Sequence, residues 1–186
     1  MEPPDPPLTD GLIRLRPPDE SDLDAIDRGI ADPDVIRWIG QPTMAARQVL
    51  ELNRSRWLDG SGPTFAICER DDTCVGHVWL NRHRDDRWSI GYWVLPEARG
   101  HGIATRAVGL VSAWAFHDLG LSELSLVTDG KNSTSQRVAE RSGFKREGPA
   151  RPGVDEEGRP VELLDYRLSR QDEPGRAQAR NVQPGA

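Results

Sequence analysis

Two short segments of this chain bring together residues whose types and spacing could do chemistry. In the first, Arg99-Gly100-His101-Gly102-Ile103-Ala104-Thr105, two glycines sit at the junction of a strand-like and a helix-like run. Glycines there remove side chains that would hold a ligand off the backbone. A helix beginning near 102 to 104 offers unpaired N–H groups and a partial positive charge, so the chemistry suggested is anion binding. The spacing limits which anion. No G-K-[ST] follows in Walker register, and the G-x-G-x-x-G dinucleotide fingerprint started by Gly100 and Gly102 is broken at Thr105. A tight turn followed by a helix start remains the alternative use of the same residues.

The second segment, Asn132-Ser133-Thr134-Ser135-Gln136 through Arg141-Ser142-Gly143-Phe144, reads as a short helix closed by glycine. Its polar start has two readings. Ser133 with Gln136 forms an S-x-x-Q capping box, or Asn132 and Ser135 are free to meet a ligand, and both can hold together.

The elements that must position these segments follow from periodicity. Trp88 to Leu95 is aromatic and β-branched, a strand, and Ile103, Ala107, Leu110, Val111 and Trp114 repeat at helical steps up to Leu119. Glu123 to Thr128 alternates as a strand. Upstream, Leu12 to Arg16, Thr64 to Cys68 and Val75 to Asn81 are predicted strands. Glu20 to Gly29 and Met44 to Leu58 are predicted helices, with Asp19 and Thr43 as N-caps. Strands near Phe144 to Gly148 and Val161 to Leu168 complete the set. Consecutive strands followed by strand, helix, strand predict an α/β (α+β) domain: a mixed, mostly antiparallel central sheet with helices on both faces.

Taken together, the two segments resemble the GNAT N-acetyltransferase superfamily. Arg99 to Ala104 is similar to its R/Q-x-x-G-x-G/A coenzyme A loop. The N-x-x-S and A-x-R-x-G-F of 132 to 144, with Ile90-Gly91-Tyr92-Trp93, are similar to its RimJ/RimL-like branch. The resemblance spans about Thr9 to Ser169. It implies two splayed parallel strands with acetyl-CoA between them, as co-substrate to an amine acceptor. Trp93, Val94 and Leu95 would line the pantetheine. Arg99, Gly100, Gly102, Ala104 and Thr105 would hold the pyrophosphate, with His101 and Ile103 inside the same loop and Arg99 as forked counter-charge. Asn132 would bond the pantetheine, Ser135 would protonate the departing thiolate, and an N–H near Val94 would stabilise the oxyanion. No tyrosine follows Asn132 until Tyr166, which leaves Ser135 or water as the acid.

The expected function is transfer of acetyl from acetyl-CoA to a primary amine, an N-terminal α-amine or a small-molecule amine, by direct attack on the thioester. A non-catalytic acyl-CoA-binding module is the alternative. Members of the branch often carry an acidic residue before I-G-Y-W, where this chain has Ser89. His77, Glu69 and Asp85 are the substitutes weighed for a base, each with a plainer role as a solvated or cross-strand polar group. Gly91 fits either a bulge that starts the splay or a tight contact with a neighbour.

Composition bounds the rest. With 186 residues, 36% hydrophobic and 29% charged, one soluble domain is expected over 9–170, between disordered tails at 1–8 and 171–186. A net charge of −6 argues against nucleic acid. No run approaches a membrane span and the N-terminus lacks signal-peptide features, so a cytoplasmic protein is expected. Two cysteines, Cys68 and Cys74, read as small apolar strand residues, and no metal is expected. The family resemblance makes a homodimer a possible assembly.

Overall fold

Strands and helices form largely where the two hydrophobic periods place them. The structure, a computed structural model, describes residues 1–40, 43–155 and 158–174. Chain order runs β1 (Leu8–Thr9), β2 (Arg14–Arg16), α1 (Leu23–Ala31), α2 (Pro33–Ile39), α3 (Ala46–Asp59), β3 (Thr64–Cys68), β4 (Cys74–Arg82) and β5 (Trp88–Val94). It continues with α4 (Ile103–His117), β6 (Glu123–Asp129), α5 (Ser133–Arg141), β7 (Lys145–Val154) and β8 (Pro160–Ser169). Eight strands make one sheet in the order β1-β2-β3-β4-β5-β6-β8-β7. Every neighbouring pair is antiparallel except β5 and β6, the mixed sheet expected.

Helices cover both faces. The inward row of α4, including Ala107, Val108, Val111, Trp114 and Ala115, packs with Phe65, Val78, Ile90, Leu124 and Tyr166. Trp57 of α3, Phe65 and Trp114 meet with ring centroids 5.1 to 5.9 Å apart. On the other face Ala25 of α1 packs with Ala66, Cys68, Cys74, Leu95 and Trp93. Cys68 and Cys74 are free, buried cross-strand partners, in the neighbouring strands expected.

Three local features differ from the sequence reading. Helix α2 was not foreseen, although its signal is present: Asp32 accepts from the N–H groups of Asp34 and Val35 at 3.0 Å, and Pro33 supplies the fixed φ of a first helical position. The N-cap of α3 is Ala45, whose N–H donates to Gln48 Oε1 at 3.0 Å, rather than Thr43. Strand β7 runs to Val154 through Pro149 and Pro152, because it lies at the sheet edge, where a missing N–H leaves no ladder bond unmade.

The ends are tied unevenly. Residues 1–7 form no helix or strand, and Leu8 opens β1 opposite Leu15. Past Ser169, Lys145 pairs with Asp172 at 2.6 Å and His117 Nε2 lies 2.9 Å from Glu173. The remainder of the expected C-terminal tail, 175–186, lies outside the described residues.

One buried ion pair anchors the start of α1. Arg16 Nη1 and Nη2 each donate to Asp22 at 2.8 Å, and Asp22 is 1% exposed. Breaking such a pair leaves a half-buried guanidinium without its main partner. Asp22→Ala is therefore expected to lower stability by about 3 kcal/mol. Urea unfolding would read this as a lower midpoint at unchanged slope.

Candidate active site

The parallel pair is where the sheet opens. β5 and β6 pair only at Ser89 and Ser125, while β5 pairs with β4 in unbroken register from Trp88 to Val94. The seven-residue strands therefore diverge beyond Ser89. Ser125 Oγ donates to the Trp88 carbonyl at 3.1 Å and fastens the closed end. The result is an open cleft of about 1580 Å³ lined by both strands, the glycine loop and the starts of α4 and α5.

Gly91 does not mark a bulge. The register across it is regular, Trp79 opposite Gly91, and a Cβ there would come within 2.5 Å of the Trp79 indole. Its absent side chain makes room for that ring rather than for neighbouring backbone.

At the mouth of the cleft the glycine loop has a backbone only glycine takes easily. Gly100 and Gly102 have φ of +81° and +77°, and nothing lies within 4 Å of where their Cβ atoms would be. Gly102 is the N-cap of α4, and no side chain bonds the first-turn amides, nor is any acidic residue placed there. α2 and α5 have side-chain caps, whereas α1, α3 and α4 have none, and of these three starts it is that of α4 which lines the cleft. Gly100, Gly102, Ile103, Ala104 and Thr105 all line the cleft.

Arg99 lines the cleft, with its guanidinium donors bonded to protein groups. Its Nη1 donates to Asp34 at 2.7 Å, Nη2 to Asp32 at 2.6 Å, and Nε to the Val94 carbonyl at 2.9 Å. The pair with Arg99 and the N–H donors of α2 hold the Asp32 carboxyl below its usual range against the opposing effect of burial. The guanidinium is thus a strut between the loop, β5 and α2, with its fork on carboxylates. His101 is exposed and does not line the cleft.

Of the three pantetheine residues, Val94 presents backbone to the gap. The Leu95 N–H bonds Val75 of β4 at 2.8 Å, so by the alternation of an antiparallel strand the Val94 N–H points to the opposite edge, the one β6 leaves open. Trp93 lines the cleft, but its indole packs over Gly29 and stacks on His77 with centroids 4.9 Å apart. Leu95 is buried.

α5 closes the other wall. Its N-cap is Asn132, whose Oδ1 accepts from the Ser135 N–H at 3.0 Å, while Gln136 Nε2 turns to the Gly130 carbonyl. The Ser133–Gln136 capping box does not form, because Asn132 takes the capping place. The Ser135 hydroxyl accepts a hydrogen bond from Tyr92 at 3.2 Å. Burial pushes the Tyr92 phenol above its ordinary value, partly offset by that hydrogen bond, so it stays protonated at neutral pH.

Tyr92, which lines the cleft and donates to Ser135, is a residue that the sequence reading did not place in the site. The search ran forward from Asn132, whereas the tyrosine stands 43 residues before Ser135. Alternation along β5 placed Tyr92 on the face of Ile90 and Val94, toward α4, and was the available signal.

None of the three base candidates lines the cleft. His77 is 2% exposed under Trp93, and Asp85 pairs with Arg87 in the β4–β5 turn. Among the described residues no cluster of His, Cys, Asp and Glu could hold a metal, and no helix is long and apolar enough to cross a membrane.

A mixed sheet opened at its parallel pair, with an uncapped helix start at the mouth, is the architecture of an acyl-transferring enzyme rather than a nucleotide-binding doubly wound domain. The Acetyltransferase (GNAT) domain family matches residues 13–145, and the chain belongs to this family of N-acetyltransferases. It is 28% identical over 169 residues to the uncharacterized N-acetyltransferase YoaA of Bacillus subtilis, covering 86% of this chain and 94% of the relative. Spermidine N(1)-acetyltransferase of Escherichia coli is 27% identical over 138 residues, 73% of this chain and 74% of that one. Among solved structures, Mycobacterium smegmatis RimJ in complex with CoA-disulfide superposes with a TM-score of 0.77 at 24% identity, covering 91% of this chain and 88% of RimJ, a likeness of fold.

Proposed function

We propose that the cleft between β5 and β6 binds acetyl-CoA and delivers its acetyl group to a primary amine held in the same cleft on its Ser89 side. The observation that carries this reading is the uncapped start of α4 beneath two positive-φ glycines at the cleft mouth. Free amides at a helix N-terminus suit a pyrophosphate, and here no side chain competes for them.

The remaining roles follow from placement. Amides of 102 to 105 hold the phosphates, and the Val94 N–H faces the carbonyl oxygen as it becomes an oxyanion. Asn132 keeps its NH2 for the pantetheine, since only its Oδ1 is used by the cap. Ser135, hydrogen-bonded by Tyr92, gives its proton to the thiolate. A hydrogen-bonded hydroxyl pair lining the cleft supports catalysis over a passive coenzyme-binding role.

The acceptor is read from proton energetics. An α-amine with pKa near 8 costs about 1 kcal/mol to deprotonate at pH 7, a lysine-like amine about 4.6 kcal/mol. With no carboxylate before Ile90, an N-terminal or similarly weakly basic amine is the acceptor class we favour. Calorimetric titration with acetyl-CoA, with NAD and ATP as controls, tests the coenzyme assignment. Micromolar binding of acetyl-CoA alone is expected, and absence of that binding would refute it.

A further inference from the structure

We propose that Ser89 and His83 form the proton-accepting relay of the acceptor site, a role that rests on the acetyl-transfer reading above. His83 lies just past β4, in the turn to β5, and its Nε2 is 2.8 Å from Ser89 Oγ. Both residues line the cleft, which none of His77, Glu69 and Asp85 does.

Position along β5 makes the assignment. A coenzyme entering from the glycine loop, at the Val94 end, comes to the Tyr92–Ser135 pair before it comes to Ser89. Ser89 stands three residues farther along, about 10 Å at strand rise. The amine must meet the acetyl carbon at the Val94 N–H, on the Tyr92 side of that interval, so water in the open cleft carries its proton on to Ser89. Ser89 and Tyr92 alternate to opposite faces of β5. Proton removal from the nucleophile and proton delivery to the leaving group are thereby kept apart.

The relay balances. The ammonium gives one proton through that water to Ser89 Oγ as the Ser89 hydroxyl hydrogen passes to His83 Nε2, which leaves a neutral amine. Its lone pair forms the C–N bond to the acetyl carbon, and the C–S bond breaks with its electron pair going to sulfur. The thiolate takes the Ser135 proton, Tyr92 replaces it, and a proton from solvent restores the Tyr92 phenol. The second amine proton leaves to solvent as the amide forms. His83 is exposed, so it discharges to water between turnovers.

The charges around His83 are largely balanced. Arg82 pairs with Asp86 at 2.8 Å and Arg87 with Asp85 at 2.6 Å in its own turn, where Arg84 also lies. Across the cleft are Arg37 of α2, stacked over Trp38, and Arg167 of β8, paired with Glu123 of β6 at 3.0 Å. His83 Nε2 accepts from the Ser89 hydroxyl in the tautomer that carries its hydrogen on Nδ1.

The test uses the full chain, acetyl-CoA and a hexapeptide with a free alanyl N-terminus, comparing wild type with His83→Gln and Ser89→Ala from pH 6 to 9. At pH 7, where about a tenth of an α-amine is already neutral, kcat/KM should fall about tenfold in either variant. At pH 9 the amine loses its proton unaided, and the ratio of wild type to variant should return toward one. A ratio that stays constant with pH, or is near one at pH 7, overturns the relay. Ser89→Glu combined with His83→Gln should restore activity at pH 7 by placing a carboxylate in the same position. A wild-type enzyme that binds acetyl-CoA but leaves the peptide unacetylated counts against the acceptor class instead. The relay is then decided by NMR titration of the histidine ring protons, in which Ser89→Ala must move the His83 midpoint; an unmoved midpoint overturns it.

Discussion

Gly102→Glu is expected to remove measurable acetyl-CoA binding, a loss of about 1,000-fold read by calorimetry. Two effects act at this position, and their sizes differ. The backbone at φ +77° strains any residue with a Cβ, at about 1 to 2 kcal/mol. A glutamate partly offsets that, because its carboxylate caps the open amides of α4. Net stability should therefore change little. Binding loses those same amides and gains a negative charge beside the phosphates. At about 4 Å and an effective dielectric near 20, one pair of like charges costs about 4 kcal/mol, which sets the expected loss. Gly102→Ala carries the strain without the charge and should bind acetyl-CoA far better than the glutamate variant. Unaltered affinity in Gly102→Glu would remove the loop from the coenzyme site.

Ser135→Ala should lower kcat about 100-fold with little change in acetyl-CoA affinity or thermal stability. General acid catalysis of this kind contributes at least about a hundredfold. The helix cap survives the substitution, because Asn132 Oδ1 takes the backbone N–H of Ser135 and not its hydroxyl. Asn132→Ala, by contrast, removes the cap and should cost about 1 kcal/mol of stability. Tyr92→Phe should lower kcat less than Ser135→Ala, since it removes the donor behind the serine and leaves the serine in place. Burial raises the Tyr92 pKa above that of an ordinary phenol, so the donor is lost only at still higher pH. Tyr92 should then produce no falling limb in the rate profile below pH 10. A Ser135→Ala enzyme with wild-type turnover, or one whose activity falls only as its melting temperature does, would reassign Ser135 to a structural role.

The strut made by Arg99 gives the site a rigidity the loop alone does not have. One guanidinium joins Asp32 and Asp34 at the start of α2 to the Val94 carbonyl at the end of β5. Helix α2 and strand β5 are thereby held to each other.

What the sequence by itself determined was everything written in short range. The alternation of β6, the helical repeat of α4 and the two glycines at 100 and 102 depend on neighbours one to four residues apart, and they placed strand, loop and helix start correctly. The α2 start at Asp32-Pro33 was equally legible and was passed over. The tertiary structure decided whatever depends on strand register. Tyr92 meets Ser135 across 43 residues, and Arg99 meets Asp34 and Asp32 across 65 and 67. The cleft itself exists because β5 and β6 pair at one point and then part, a fact of two strands and not of either alone. Even the six-residue step from His83 to Ser89 required the β4–β5 turn to fold back before the imidazole could reach the hydroxyl. Local periodicity fixes which face a side chain takes, but only the paired backbones fix which distant side chain it finds there.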